Sequence, residues 1–353
     1  MQTVTVEQFI SNRMKYQPID VRSPAEYDRA HIPCAVNVPL LTDEERTIIG
    51  DIYRRQGAEK AKMAGLETVA CRLPQMVEKI LAASGEREPL IYCWRGGLRS
   101  HSMCSVFSAL KYSASRLSGG YRAFRRFIYG FHKQAVLKMP VYVLNGLTGV
   151  GKTRLLRILQ RRGYPALDLE GMANNRGSVF GAAGLGKPRS QKDFEALLAM
   201  ALLANKNAPY LVVEGEGRRI GHVLLPDYLF RAMSEGRHIL LVADLAVRVE
   251  RIVEEYGRQA ECGEELAEAV MALQKRLGTA KCRELAAKIR QGAYHEAALE
   301  LCCSYYDKYY QDSRGGKENY LAVISANDLE ECADNVIAVI KNSLHSENLP
   351  QAK

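Results

Sequence analysis

The stretch that most constrains this chain is an apolar run, Val141-Tyr142-Val143-Leu144, that passes through a glycine-rich loop into a helix. The loop, Gly146-Leu147-Thr148-Gly149-Val150-Gly151-Lys152-Thr153, matches G-x4-G-K-T in full, and helical spacing continues from Lys152 to Arg161. A strand that feeds a helix in this way returns to its sheet by a crossover, so the next strand lies parallel and the fold is α/β. The chemistry of the loop follows from its residue types. Backbone N–H groups freed by Gly146, Gly149 and Gly151 can wrap a diphosphate at the helix N-terminus. Lys152 can neutralise the distal phosphate, and the Thr153 hydroxyl can hold Mg²⁺.

At 353 residues the chain exceeds what one core usually supports, so a second domain is expected. It lies ahead of the loop, where short strands alternate with helices. Pro18-Ile19-Asp20-Val21, Ala35-Val36-Asn37-Val38 and Leu90-Ile91-Tyr92 read as strands, and Ser100 to Tyr112 reads as a helix. Ser23-Pro24-Ala25-Glu26 spells a helix start, with Pro at the first position and Glu closing a capping box. The expected division is residues 1–130, a basic linker at 131–140, a second domain at 141–342 that turns mostly helical after Asp244, and a frayed tail at 343–353.

Cys93 stands at the end of the third strand and opens the loop Cys93-Trp94-Arg95-Gly96-Gly97-Leu98-Arg99-Ser100. A helix N-terminus, loop N–H groups and the cations Arg95 and Arg99 all favour thiolate over thiol. The expectation is a nucleophile in an anion cradle, able to hold a sulfur or selenium oxyanion donor. Cysteine phosphatases use the same logic, since Cys-x5-Arg also describes them. The other cysteines form no Cys-x-x-Cys pair, and their odd total of nine does not suggest a disulfide framework. A structural zinc site is not expected.

The formal net charge is +9, and it is unevenly placed: from Pro89 to Leu167 there are fourteen Lys or Arg and no acid. That run holds both candidate loops, which points to a polyanionic substrate. Within it, Arg122, Arg125, Arg126 and Lys133 alternate with Tyr121, Phe124, Phe127 and Tyr129, and are candidate RNA contacts on a helical segment spanning residues 121–139. After the phosphate loop, acids and arginines recur in turns: Asp168 and Glu170, then Arg176 in Asn174-Asn175-Arg176-Gly177-Ser178, then Glu214, Glu216 and Arg218. These are candidate Mg²⁺, phosphate or substrate ligands. No base-binding motif for adenine or guanine accompanies the loop. No apolar run reaches the roughly eighteen residues of a membrane span, and no basic-then-apolar leader opens the chain, so a cytoplasmic protein is expected.

Asp20-Val21-Arg22 with Ser23-Pro24-x-Glu26-Tyr27, His31-Ile32-Pro33-x-Ala35-Val36-Asn37-Val38-Pro39, the Cys93 loop and Leu117-Ser118-Gly119-Gly120-Tyr121 together resemble a rhodanese domain. A rhodanese-like domain ahead of a P-loop NTPase-like parallel-sheet domain with a helical C-terminal part, carrying the Asp168–Ser178 and Glu214–Gly221 clusters in order, resembles the tRNA 2-selenouridine synthase family. The resemblance continues through Val249–Tyr256 and Arg276-Leu277-Gly278 to Tyr305-Tyr306-Asp307, nearly the whole chain. It implies a transferase acting on wobble 2-thiouridine of tRNA. The sulfur would first be alkylated by geranyl diphosphate and then exchanged for selenium from selenophosphate.

It further implies that Cys93 accepts or relays selenium with Arg95 and Arg99 on the anionic donor, and that the P-loop holds a diphosphate. The basic run would grip the anticodon region, and a selenophosphate-producing enzyme would be the functional partner. No tightly bound cofactor is expected, and Mg²⁺ is the candidate ion for the second site. Two departures bear on the second site: Asn175 stands where His is usual, and Gly215 and Gly217 stand where an acid and a Ser are usual. Two other readings stay open on the residues alone. One is a sulfurtransferase coupled to an ATP- or GTP-using kinase-like domain. The other is a tRNA-binding regulator whose Cys93 senses persulfides.

Overall fold

The computed structural model of the protein describes residues 2–176, 180–181, 183–257, 263–308 and 317–348. The chain forms two units, one of residues 1–134 with Lys192–Met200, the other of residues 135–191 and 201–353. None of the described helices is long and apolar enough to cross a membrane.

The first unit is built on five parallel strands: β1 (Gln2–Val4), β2 (Tyr16–Asp20), β3 (Val36–Asn37), β4 (Glu88–Tyr92) and β5 (Ser115–Leu117), in the order β1-β5-β4-β2-β3. From β2 the chain steps outward to β3 and then returns to the other side of β2 as β4. The order therefore reverses between β2 and β4, and a parallel sheet opens its functional crevice at such a point. The register Asp20↔Tyr92 brings the Asp20-Val21-Arg22 turn and Cys93 out at the same edge. Both sheet faces are buried. Ile19, Ile91, Met103 and Phe107 lie in the core on one side, and Leu90, Tyr92, Phe124 and Ile128 on the other. The second core also takes in Ala196, Ala199 and Met200.

The second unit has its own five-stranded parallel sheet, ordered β12-β11-β6-β8-β7. Its strands are β6 (Val141–Asn145), β7 (Ala166–Leu167), β8 (Leu211–Glu214), β11 (Arg237–Val242) and β12 (Ala322–Ser325), while β9 (Arg219–Ile220) and β10 (Val223–Leu224) form a separate antiparallel pair. The order reverses at β6, so the loop that leaves β6 occupies the switch point. Past β11 the described chain is helical apart from β12 and short connections, as the charge spacing predicts.

Two boundaries differ from the sequence reading. The basic aromatic helix runs over Gly120–Gln134 and ends short of Met139, with residues 135–139 outside any regular element. The last helix, Leu329–Asn348, continues through the first six residues of the expected tail. Leu344 packs on the core there, and the Ser343 hydroxyl accepts a hydrogen bond from Arg237 Nη1 at 2.8 Å.

Candidate active sites

Cys93 follows β4 directly and precedes the Leu98–Ala109 helix. It is buried, and its Sγ lies 3.2 Å from the Ser100 hydroxyl and 3.9 Å from the Gly97 carbonyl. No loop N–H donates to the sulfur among the described hydrogen bonds, which differs from the expected cradle. What shapes the loop is close backbone packing. Gly96 and Gly120 have φ of +67° and +58°, and a Cβ on Gly120 would collide with the Cys93 carbonyl and the Gly96 nitrogen. The Tyr121 and Arg122 N–H groups donate to the Cys93 and Trp94 carbonyls, each at 2.9 Å. The Gly119-Gly120 pair therefore presses the following helix against the cysteine loop.

The two loop arginines have different fates. Arg99 is held by Glu26, through Nη1 at 2.6 Å and Nη2 at 3.2 Å, whereas Arg95 is exposed. Burial pushes the Glu26 carboxyl up. The hydrogen bond and charge of Arg99, the Ser23 N–H and Arg46 outweigh that, and its pKa falls below the ordinary value. The expected capping box is present at Ser23, and its glutamate has this second task. Arg22 and Asp20 are fully buried and paired at 2.6 Å, with the guanidinium carbon 4.3 Å from the centre of the Tyr121 ring. Ser100 and Glu26 thus hold the cysteine loop, a role the sequence reading did not give them.

At the second loop, a cleft of about 510 Å³ is bordered by residues 148–154, Glu170, Asn174, Asn175, Arg176, Glu216 and the helix Leu245–Gly257. The register Leu144↔Glu214 sets the end of β8 beside the P-loop. Lys152 Nζ donates to the Gly146 carbonyl at 3.1 Å, and the Thr153 hydroxyl donates to Glu170 Oε2 at 3.2 Å. Burial, then the charge of Glu216, raises the Glu170 carboxyl to about 8; Lys152 and the Thr153 hydrogen bond oppose the shift without reversing it. Glu214 lies fully buried behind this layer. Its Oε1 accepts the Glu170 N–H at 2.7 Å, while its Oε2 has no partner. Burial, followed by the charges of Asp168 and Glu170, holds it well above the usual carboxylate range.

The remaining candidates fall into place around this cluster. Asp168 caps the short Leu169–Ala173 helix by accepting the Gly171 N–H at 2.6 Å, and pairs with Arg157 at 3.3 Å. Arg176 borders the cleft but is paired with Glu255 at 2.7 Å, and Gly177 and Ser178 lie outside the described residues. Arg218 is exposed, pairs with Asp227 and does not border the cleft. Asn175, one of the two departures, is buried at the cleft wall. At the other, Gly215 leaves room for the Asn145 side chain, which a Cβ would strike.

Two arginines that the sequence reading gave no role hold the loop in shape. Arg248 Nε donates to the Thr148 carbonyl at 2.9 Å and pairs with Asp307, and Arg251 Nη1 donates to the Val150 carbonyl at 2.7 Å. Only their spacing of three on one helix could have hinted at a shared target.

Of the basic-run candidates, Arg122, Arg126 and Lys133 are exposed along one side of the Gly120–Gln134 helix. Arg125 is not with them: it is partly buried and paired with Glu195.

Residues 5–127 match the profile of the rhodanese-like domain, and residues 139–341 match that of the tRNA 2-selenouridine synthase AAA domain. The chain belongs to the tRNA 2-selenouridine synthase family. Relatives bearing that name include one from Pseudomonas fluorescens, 34% identical over 85% of this chain and 89% of its own length. Another, from Cupriavidus pinatubonensis, is 35% identical over 83% and 87%, and a third, from Aeromonas salmonicida, is 32% identical over 90% and 91%. The two sheets described above are therefore a rhodanese-like domain followed by a P-loop-like AAA domain.

Proposed function

We propose that this enzyme, a transferase of selenium to tRNA like the family it belongs to, converts wobble 2-thiouridine to 2-selenouridine through an S-geranylated intermediate. In the first half-reaction the thiocarbonyl sulfur attacks C1 of geranyl diphosphate. The C–O bond breaks and diphosphate leaves. In the second, the selenium of selenophosphate attacks C2 of the base, geranyl thiol departs, and water cleaves the Se–P bond to release phosphate and leave selenium on the base. Cys93 serves the selenium step, with exposed Arg95 as the cation for the anionic donor. Lys152 and the P-loop serve the diphosphate. The exposed arginines of the Gly120–Gln134 helix serve the anticodon region. A selenophosphate-producing enzyme in the same cytoplasm would be the partner.

One observation carries the prenyl half of this reading. Thr148, Ile252 and Tyr256 of the P-loop cleft also border an apolar pocket, which Phe180, Leu266, Tyr294 and Leu301 extend. A diphosphate held at the loop would thus have greasy surface beside it, suited to a hydrocarbon chain.

Mg²⁺ fits the same cleft. Among the described residues no three His, Cys, Asp or Glu side chains converge in ligating geometry. Thr153 and Glu170 would hold the ion, and diphosphate oxygens and water would complete its shell, which is how Mg²⁺ usually sits with phosphates. Bound there, it would offset the charge of the leaving diphosphate.

The deciding experiment is mass spectrometry of tRNA nucleosides from cells lacking the protein, complemented with the wild type or with Cys93→Ser. Loss of wobble selenouridine and geranylated thiouridine on deletion is expected, with only selenouridine missing in the Cys93→Ser strain. Unchanged nucleosides on deletion would sink the reading. Nucleotide hydrolysis without any need for a prenyl diphosphate would favour the kinase-coupled sulfurtransferase.

A further inference from the structure

Trp94 is the chain's single tryptophan and sits next to the catalytic cysteine, yet it stays 41% exposed. Solvent is an unfavourable place for an indole unless something covers it in use. Its position is fixed from two sides. Buried Tyr121 supports it with ring centres 5.7 Å apart, and its carbonyl accepts the Arg122 N–H at 2.9 Å. From that hydrogen bond the Gly120–Gln134 helix carries exposed Arg122, Arg126, Tyr129 and Lys133. Their spacing of four, three and four sets them along one stripe. The helix contains no acid, and Arg125, off the stripe, is the residue that meets Glu195. Its other side is anchored by Phe124 and Ile128 in the core. At the cysteine end, exposed Arg95 adds a cation, and Arg116 donates to the Gly96 carbonyl at 3.2 Å.

A supported, half-exposed aromatic ring at the head of a basic stripe is the arrangement by which proteins hold single-stranded nucleic acid. The ring stacks on an unpaired base and the cations follow its phosphates. We propose that Trp94 is the stacking platform for an unpaired base of the anticodon loop, and that Arg122, Arg126 and Lys133 track the backbone leading away from it. The inference rests on the reading that this enzyme acts on the anticodon region of tRNA. It adds the residue that places a base beside the Cys93 loop.

Because all tryptophan emission comes from position 94, the wild-type full chain reports on the contact directly. A fluorescein-labelled anticodon stem–loop is titrated by anisotropy, and the same RNA without label is titrated by tryptophan emission. Both signals are expected to saturate together, with emission quenched by half or more. A blunt duplex of matching length should bind with little quenching. Trp94→Ala should weaken stem–loop binding roughly tenfold, and Trp94→Phe, which keeps a ring, by less than about threefold. Anisotropy that rises while emission stays flat, with Trp94→Ala binding like the wild type, overturns the proposal and leaves the tRNA reading standing. Anisotropy that stays flat overturns both.

Discussion

The two loops of this enzyme occupy the same kind of place and solve it in opposite ways. Each leaves the carboxyl end of a parallel strand at a point where strand order reverses, and each passes into a helix. At Cys93, shape comes from backbone pressed on backbone, and the carboxylate of Glu26 is spent on Arg99. At the P-loop, burial and neighbouring carboxylates push Glu170 and Glu214 toward the protonated form. The first loop is a rigid mould for a sulfur atom. The second holds carboxyls whose negative charge burial suppresses. Geometry limits one site and proton balance limits the other.

That contrast can be broken most sharply at the thiol. Cys93→Ser should lower selenouridine formation by at least about a thousandfold, because a hydroxyl is a far poorer nucleophile at neutral pH. Its melting temperature should stay close to wild type, and a large drop would mean the sulfur is structural. The mould itself is tested by Gly120→Ala, which should cost about 2–4 kcal/mol in chemical denaturation through strain and collision. Gly97→Ala serves as the control, since a Cβ there meets nothing within 4 Å. Equal stability of the two variants would show that the glycine contact does not hold the loop.

On the charged side, Lys152→Ala should weaken diphosphate binding by roughly tenfold to a hundredfold in calorimetry, the value of a charge-assisted contact. No change would place the diphosphate elsewhere. The smallest effect is the pH dependence. With Glu170 titrating at about 8, Mg²⁺-dependent diphosphate binding should tighten about fivefold from pH 7 to 8 as the carboxylate forms. The sign for folding is the reverse. The raised pKa stabilises the ligand-free protein at low pH, and that contribution is lost as pH rises from the ordinary 4.5 to about 8. Glu170→Gln should flatten both profiles, and a profile unchanged in this variant would assign the proton to another group.

Much of this was readable in the chain. The run from Val141 to Arg161 gave strand, loop and helix in order, and the observed helix spans Lys152–Arg161 as its spacing predicts. Local patterns carry such elements because they depend on neighbours a few residues apart. The charge partners are another matter. Arg99 meets Glu26 across 73 positions and Arg125 meets Glu195 across 70, and nothing in either residue's own surroundings announces the pairing. The basic run thus named Arg125 beside Arg122 and Arg126, although one position of helical rotation turns it from solvent toward an acid. Arg248 and Arg251 escaped for the same reason, since their targets are carbonyls about a hundred residues earlier.

The membership of Lys192–Met200 in the first unit bears on anyone who wishes to study the rhodanese-like half by itself. A fragment cut after Gln134 would lose Ala196, Ala199 and Met200 from its core and Glu195 from Arg125, whose Nη1 already lacks a partner. It would expose a greasy groove next to an unpaired cation, a surface prone to self-association. The natural seam of this protein does not lie at its linker alone, and a workable excision would have to graft that helical segment back on.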